Sequence, residues 1–216
     1  MSSTIDLIVF DLDGTLVDSL PDLANAANHA LHRLGLPAQP LTAHKKMIGA
    51  GEKNYVRRFL GPDFQHLYDQ ALKLYLEHYS GHLGDQSQVY PGVKETLARL
   101  APMNMAVLSN KREDLSRQVV EVMGLGNFFM MVRGGNSYGA LKPSPEGLSA
   151  LIRELGGTPA RTLMVGDKPE DVLSGRGAGT RTAALTNGYG DPEAIAAARP
   201  DHLFSDFTQV AGLVAG

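Results

Sequence analysis

The sequence of 216 residues contains no cysteine. Disulfide bonds, zinc sites built from thiolates and cysteine nucleophiles are therefore excluded. The sequence also has no apolar run near the roughly 18 residues that a membrane-spanning helix needs. Residues 1–10 lack the basic region and the long apolar region of a secretory signal. We therefore expect a cytoplasmic protein without a membrane partner.

A strong charge of one sign is also missing. The formal net charge is −3, and acidic and basic residues are mixed along the chain. Surfaces that bind nucleic acids or anionic membranes are typically rich in clustered lysine and arginine, so neither partner is expected here. The 43% of hydrophobic residues are enough to form a buried core. The expected partner of this globular chain is a small molecule.

Short apolar runs recur along the chain, with helical segments between them. The runs cover residues 5–10, 104–109, 128–132, 161–166 and 181–186. Their apolarity is continuous rather than alternating, which is typical of parallel strands that are covered on both faces. The segments between them are long enough for crossover helices. The pattern predicts an α/β fold with a parallel sheet.

The interval between the first two predicted strands is much longer than the others. Residues 16–103 read mostly as helix, which predicts a small helical domain inserted after the first strand. We expect a core of residues 1–15 and 84–216 and a helical cap of residues 16–83. The candidate helices cover residues 20–35, 42–49, 52–60 and 64–81.

The first apolar run leads directly into two acidic residues. In the sequence LIVFDLDGTLVDSL, Asp11 and Asp13 follow the predicted strand, and Gly14 permits a sharp turn. Ligands of open parallel sheets bind beyond the carboxyl ends of the strands. An Asp-Gly pair alone is also typical of an ordinary turn. Complementary polar residues near other strand ends favour a functional site, and these are Ser109, Asn110, Lys142, Asp167 and Asp171.

The acidic residues indicate a metal ion. If Asp11, Asp13 and Asp167 share one cleft, each pair at about 4 Å repels by roughly 4 kcal/mol at an effective dielectric constant near 20. A cation would remove this repulsion. Oxygen ligands with room for water and a phosphate oxygen favour Mg²⁺ over Ca²⁺. Ser109 and Lys142 offer a hydroxyl donor and a positive charge to the remaining phosphate oxygens.

The two acids after the first strand suit the hydrolysis of a phosphomonoester. This reaction is very slow without a catalyst, so charge stabilisation and positioning must supply most of the acceleration. Attack by Asp11 would form an aspartyl phosphate while Asp13 protonates the leaving oxygen. Asp13 would then accept a proton from the water that hydrolyses the intermediate.

Together and in this order, the motifs resemble those of the haloacid dehalogenase superfamily, specifically its phosphatases with a helical cap after the first strand. The resemblance spans nearly the whole chain and implies a Rossmann-like core. The motifs are DLDGT with Asp11 and Asp13, LSN with Ser109, Lys142 before PSP, and GDKPED with Asp167 and Asp171.

The resemblance also implies roles for these residues. Asp171 is expected to orient water or Lys142. One position departs from the family pattern, because Lys168 follows Asp167 where relatives often carry serine or threonine. This departure either changes only the local hydrogen bonding or adds a cation near the site. The implied ligands are Asp11, the main-chain carbonyl of Asp13 and Asp167 for Mg²⁺, and Ser109, Asn110 and Lys142 for phosphate.

Two segments of the cap resemble those of phosphoglycolate phosphatases, DSLPDLANAANHALHRLGLP and IGAGEKNYVRRFLG. The single best substrate is therefore 2-phosphoglycolate, although related caps belong to phosphatases of sugar phosphates, pyrophosphate and nucleotides. Arg57 and Arg58 are candidates for binding a substrate carboxylate, and an exposed basic helix face is the alternative. Gly49 and Gly51 either let the cap backbone approach the ligand or separate two helices.

Three further functions fit parts of the pattern. A phosphomutase resembling β-phosphoglucomutase would pass the phosphoryl group to a second hydroxyl. A haloacid dehalogenase has no leaving oxygen to protonate and would need neither Asp13 nor a metal. A non-enzymatic phospho-receiver module offers similar groups, but the large insertion and Asp13 disfavour it. The oligomeric state and the roles of Lys168 and residues 136–139 stay open.

Overall fold

The computed structural model describes residues 4–213. Six parallel strands form one sheet, and two short strands form a separate antiparallel ribbon. The strands are β1 (Leu7–Phe10), β2 (Val17–Asp18), β3 (Gln88–Val89), β4 (Asn104–Leu108), β5 (Met131–Arg133), β6 (Thr162–Gly166), β7 (Arg181–Leu185) and β8 (His202–Phe204). The order across the sheet is β5-β4-β1-β6-β7-β8, and β2 pairs with β3.

Nine α-helices connect or flank these strands in the described part of the chain. They are α1 (Leu20–Arg33), α2 (Leu41–Met47), α3 (Glu52–Leu60), α4 (Tyr68–Gly81), α5 (Val93–Leu100), α6 (Glu113–Val122), α7 (Glu146–Glu154), α8 (Pro169–Gly177) and α9 (Pro192–Ala197). Short 3₁₀ helices cover Pro62–Leu67, Gly126–Phe128, Pro159–Arg161 and Phe207–Leu213. Within residues 4–213, no helix has both the length and the apolarity required to cross a bilayer.

The main sheet is covered on both faces. Ile8 and Phe10 of β1 pack in one apolar cluster with Leu97 of α5, whereas Leu7 and Val9 pack in a second cluster with α7. This alternation follows from the two-residue period of a strand. Because both faces are apolar, the strands read as continuous hydrophobic runs. The predicted α/β fold with a parallel Rossmann-like sheet is confirmed.

The first four helices form an insertion between β2 and β3, which we call the helical insertion (residues 20–81). Because β2 and β3 pair, the chain leaves and re-enters the core side by side. The buried carboxylate of Asp22 in α1 holds the segment that leads back into β3. It accepts hydrogen bonds from the backbone N–H groups of Gln86 and Ser87. The division into a core and a cap of residues 16–83 stays a prediction.

Some element boundaries differ from the sequence expectation. The strand expected at 128–132 begins only at Met131, and Gly126–Phe128 is a 3₁₀ helix. The apolarity of this run serves packing, because the ring of Phe129 contacts Phe10 edge to face with centroids 6.1 Å apart. The helix expected at 64–81 begins at Tyr68, since the chain before it forms a separate 3₁₀ helix.

Candidate active site

The sheet order brings the predicted site residues to one edge. Strand β1 lies between β4 and β6, and Phe10 at its end is level with Val107 and Val165. Asp11 follows β1 directly. Ser109 follows β4, and Asp167 follows β6. Residues from segments far apart in the sequence therefore converge at the carboxyl ends of three neighbouring strands.

An acidic cluster lies at this edge. Oxygen atoms of Asp11, Asp167 and Asp171 all lie within 4.8 Å of one another. The ammonium of Lys142 lies between two of these acids, with its Nζ 2.9 Å from Asp11 and 2.7 Å from Asp171. It also donates to the carbonyl of Leu108 at 2.8 Å. One ammonium thus contacts two of the three buried carboxylates.

The charge in this cluster is incompletely compensated. Burial raises the pKa of Asp11 to about 6, although Lys142 acts in the opposite direction. Burial and the charge of Asp11 also raise the pKa of Asp167 to about 6. Burial disfavours the charged form of Lys142, but Asp11 and Asp171 raise the pKa of its ammonium above the ordinary value. The carboxylates therefore favour an additional positive charge.

A divalent cation fits this cluster. Asp11 and Asp167 are buried oxygen donors whose ionised forms lack a sufficient counter-charge. Oxygen donors of this kind are the ligands that hard cations such as Mg²⁺ prefer. Asp171 also belongs to the cluster, and its two oxygens contact Lys142 at 2.7 Å and the backbone N–H of Lys168 at 3.0 Å. Asp11, Asp167 and Asp171 are therefore the carboxylates that could hold the ion, and Lys142 contacts two of them.

Gly14 and its neighbours hold Asp167 in place. Gly14 has a φ of +89°, and a Cβ atom at this position would lie 2.4 Å from Oδ2 of Asp167. The hydroxyl of Thr15 donates to Oδ1 of Asp167, and the backbone N–H of Tyr189 donates to Oδ2, each at 2.8 Å. Glycine is thus required both by the left-handed backbone and by the close approach of the carboxylate.

Asp13 has a different environment from Asp11. Its Oδ1 accepts hydrogen bonds from the hydroxyl of Ser19 at 2.5 Å and from the ammonium of Lys111 at 2.7 Å. Lys111 also donates to the hydroxyl of Tyr79, at the end of α4, at 2.7 Å. Burial opposes the charge of Lys111, but Asp13 and Tyr79 raise the pKa of its ammonium above the ordinary value.

The sequence analysis missed Lys111. Its ammonium is buried and paired with Asp13, so it is part of the site. The sequence feature that could have identified Lys111 is its position directly after Ser109 and Asn110, at the end of a predicted strand. A single lysine at such a position also fits a solvated loop, and only the fold reveals its partners.

The predicted phosphate ligands lie together. Ser109 is buried, and its hydroxyl accepts the backbone N–H of Lys111 at 3.2 Å. The side-chain amide of Asn110 donates to the carbonyls of Gly49 and Lys142, both at 2.9 Å, and its oxygen accepts the backbone N–H of Lys142 at 2.8 Å. Asn110 therefore fastens the Lys142 backbone to a loop of the helical insertion.

A cavity of about 40 Å³ lies between the strand ends and the helical insertion. Asp11, Asp13 and Ser109 line it from the sheet, and Ile48 and Glu52 line it from the insertion. The helical insertion therefore lies over the strand ends and supplies part of the cavity wall.

The loop of residues 48–51 covers this cavity. Gly49 and Gly51 line it with φ values of +107° and +78°. The ammonium of Lys168 crosses from the core and donates to the carbonyl of Ile48 at 2.5 Å. Both glycines predicted from the sequence are therefore placed next to the candidate site.

Arg57 and Arg58 are on the exposed face of α3 and do not line the cavity. The guanidinium of Arg57 lies 4.4 Å from the centre of the Tyr68 ring. Arg58 donates to the carbonyl of Met47 at 2.7 Å. In this structure, neither arginine is positioned for the predicted contact with a substrate carboxylate.

Residues 136–139, whose role the sequence left open, fasten the start of α6. The side-chain oxygen of Asn136 accepts the backbone N–H of Glu113 at 2.8 Å, and the hydroxyl of Ser137 donates to the Glu113 carboxylate at 2.5 Å. These contacts hold the segment that follows Ser109, Asn110 and Lys111. The loop supports the site without lining the cavity.

Comparison with known proteins assigns this arrangement to a family. A sequence model described as haloacid dehalogenase-like hydrolase matches residues 8–185, which include every strand-end residue of the site. The chain belongs to this hydrolase family. The predicted resemblance to the haloacid dehalogenase superfamily is thus confirmed.

Individual members of the haloacid dehalogenase-like hydrolases are similar over most of the chain. A phosphoglycolate phosphatase of Pseudomonas putida is 37% identical, over 93% of this chain and 76% of the relative. A phosphoglycolate phosphatase of Chromobacterium violaceum is 36% identical, over 89% of this chain and 90% of the relative. The crystal structure of a predicted phosphoglycolate phosphatase from Haemophilus somnus has a TM-score of 0.91 at 31% identity and covers 98% of both chains.

Proposed function

We propose that this protein is a Mg²⁺-dependent phosphatase of small phosphorylated metabolites, with 2-phosphoglycolate as its preferred substrate. One observation carries the proposal. Asp11, Asp13 and Ser109 line the same cavity, and the two acids have different partners. This arrangement suits a reaction in which one carboxylate attacks and the other transfers a proton.

In the first step, a carboxylate oxygen of Asp11 attacks phosphorus, and the bond from phosphorus to the ester oxygen breaks. Asp13 donates its proton to the leaving oxygen, which departs as an alcohol. Lys142 is held within 2.9 Å of Asp11 and orients the attacking carboxylate. The hydroxyl of Ser109 donates to a non-reacting phosphate oxygen.

In the second step, water attacks phosphorus of the aspartyl phosphate. The carboxylate of Asp13 accepts a proton from this water, and the bond from phosphorus to Asp11 breaks to release inorganic phosphate. Asp13 returns to its protonated form and Asp11 to its ionised form. Ser19 and Lys111 keep Asp13 oriented during both transfers, since both donate to its Oδ1.

Mg²⁺ would be held by Asp11, Asp167 and the main-chain carbonyl of Asp13. When bound, the ion neutralises negative charge on the carboxylates and on the phosphoryl group. Asp171 would instead position Lys142 and the start of α8, because its two oxygens contact the Lys142 ammonium and the backbone N–H of Lys168. Thr15 and Tyr189 orient Asp167 for the ion through their hydrogen bonds.

The names of the relatives support the choice of 2-phosphoglycolate. The two bacterial relatives at 36–37% identity carry the name phosphoglycolate phosphatase. We place the protein in the cytoplasm, where such metabolites occur.

The test is release of inorganic phosphate from a panel of phosphomonoesters that includes 2-phosphoglycolate, with Mg²⁺ and with a chelator. We expect Mg²⁺-dependent release, highest for 2-phosphoglycolate, and a loss of at least about 10³-fold in Asp11→Asn. Conversion of a phosphomonoester to an isomer without phosphate release would instead indicate a phosphomutase. No reaction with any ester would contradict the proposal.

A further inference from the structure

Three lysines surround the candidate active site, and two of them are neutralised by acids. Lys142 pairs with Asp11 and Asp171. Lys111 pairs with Asp13 at 2.7 Å. Within residues 4–213, the Nζ of Lys168 has no carboxylate oxygen within 4 Å, and its hydrogen-bond acceptor is the neutral carbonyl of Ile48. Lys168 thus retains a positive charge for a ligand.

Lys168 is held where a ligand would contact it. Its side chain lines the same cavity as Asp11 and Ser109. The loop of the helical insertion packs directly against the Lys168 side chain. A Cβ atom on Gly49 would lie only 2.2 Å from the lysine Nζ. The ammonium has three donors, and Ile48 uses one of them. Two donors therefore remain for a group bound in the cavity.

The other charged groups of the cavity are already engaged. The carboxylate of Glu52 accepts the backbone N–H of Arg112 at 2.9 Å. Asp13 accepts from both Ser19 and Lys111. Lys111 and Lys168 are the two lysines of the cavity lining, and of these Lys168 has no acidic partner within 4 Å in the described structure.

We propose that Lys168 binds a carboxylate of the substrate, opposite to the phosphate that reacts at Asp11. This inference rests on the proposed phosphatase function and specifies its substrate class. The enzyme then prefers phosphorylated carboxylic acids over phosphorylated alcohols of the same size. The lysine that departs from the common family pattern becomes the residue that determines specificity in this chain.

The test compares two esters of nearly equal size, 2-phosphoglycolate and 2-hydroxyethyl phosphate, which has a hydroxymethyl group in place of the carboxylate. Lys168→Gln keeps a donor for the carbonyl of Ile48 but removes the charge. We expect kcat/KM for 2-phosphoglycolate to fall about 10- to 100-fold, as for loss of one hydrogen bond to a charged group. For 2-hydroxyethyl phosphate, we expect a change of less than about 3-fold.

Two further variants complete the experiment. Lys168→Arg keeps the charge, and we expect it to retain the preference for the carboxylate at least in part. Lys46→Met removes a charge from the exposed face of α2, near the same loop. This variant should leave kcat/KM unchanged for both esters. Thermal unfolding of each variant checks that it is folded, and Lys168→Met serves as the second neutral variant.

The outcomes separate the two proposals. If the parent protein hydrolyses 2-phosphoglycolate but Lys168→Gln lowers kcat/KM equally for both esters, the lysine acts on the phosphate or on the fold, and the carboxylate role is wrong. An unchanged kcat/KM for both esters contradicts that role as well. A parent protein that hydrolyses neither ester contradicts the proposed function and, with it, the role of Lys168.

Discussion

At the scale of single residues, Gly14 connects the chain turn after β1 with the position of Asp167. It combines a φ of +89° with a distance of 2.4 Å from its hypothetical Cβ to Asp167 Oδ2. Gly35 offers a matched comparison, because its φ is +73° and nothing lies within 4 Å of its hypothetical Cβ. The two glycines share a left-handed backbone and differ in the contact.

We expect Gly35→Ala to lower the free energy of unfolding by about 1 kcal/mol, as is usual for a side chain with positive φ. Gly14→Ala should lower it further, by about 2–4 kcal/mol, and should abolish phosphate release because Asp167 is displaced. Urea unfolding and a phosphate assay measure both effects. Equal effects of the two substitutions would contradict the assigned contact.

The raised pKa of Asp167 makes the stability of the metal-free protein depend on pH. The pKa is about 6 in the folded protein, against an ordinary value of 3.8. Between these values the folded protein holds a proton that the unfolded chain has lost, so the contribution of Asp167 to stability falls as pH rises from about 4 to about 6.

Asp167→Asn removes this titration. With a chelator present, we expect the stability of Asp167→Asn relative to the parent to rise by about 2–3 kcal/mol between pH 4 and pH 6.5. Added Mg²⁺ should stabilise the parent and not the variant, since the ion binds the folded carboxylate. Urea unfolding at several pH values tests this, and a difference that is independent of pH would contradict it.

At the scale of elements, α4 reaches the site through Tyr79. Its hydroxyl accepts from Lys111, and Lys111 donates in turn to Asp13. The helical insertion therefore helps to fix the proposed proton-transfer residue. Removal of one partner from a buried ion pair is costly, because the other charge stays buried.

We expect Lys111→Met to lower the free energy of unfolding by about 3 kcal/mol and to reduce kcat more than it changes KM. Lys73→Met is the control, because Lys73 pairs with Glu77 on the surface of α4 with side chains 73% and 61% exposed. That substitution should change the stability by less than about 0.5 kcal/mol. Similar losses in the two variants would contradict the buried pair.

Elements with a strong local pattern were predictable from the sequence. Strands β1, β4, β6 and β7 are buried on both faces, so each is a continuous apolar run. The short strand β8 escaped prediction because none of its three residues is buried. The two-residue ribbon of β2 and β3 depends on pairing between distant segments and has no local signal.

The candidate site was predictable where a residue belongs to a motif, and not where its role depends on a partner. Asp11, Ser109 and Asp167 follow strands that the sequence indicates, so their convergence follows from a parallel sheet. Lys111 lies 98 positions from Asp13. That pairing depends on the path of the chain through the helical insertion, which no spacing along the sequence reveals.

At the scale of the whole molecule, the helical insertion and the strand ends form the candidate site together, since both line the cavity of about 40 Å³. The contacts that join them include those of Lys168 with Ile48 and of Asn110 with Gly49. We expect the insertion to move away from the strand ends when substrate enters and product leaves, and these contacts would then break.

The measurement that tests the central claim most directly is detection of the phosphorylated residue during turnover. The protein is mixed with Mg²⁺ and 2-phosphoglycolate, quenched rapidly and treated with borohydride, which reduces an acyl phosphate to an alcohol. Peptide mass spectrometry then locates the reduced side chain. The account predicts reduction at Asp11, only in the presence of the ester, and none in Asp11→Asn. Phosphate release without modification at Asp11, or with modification at another carboxylate, would contradict it.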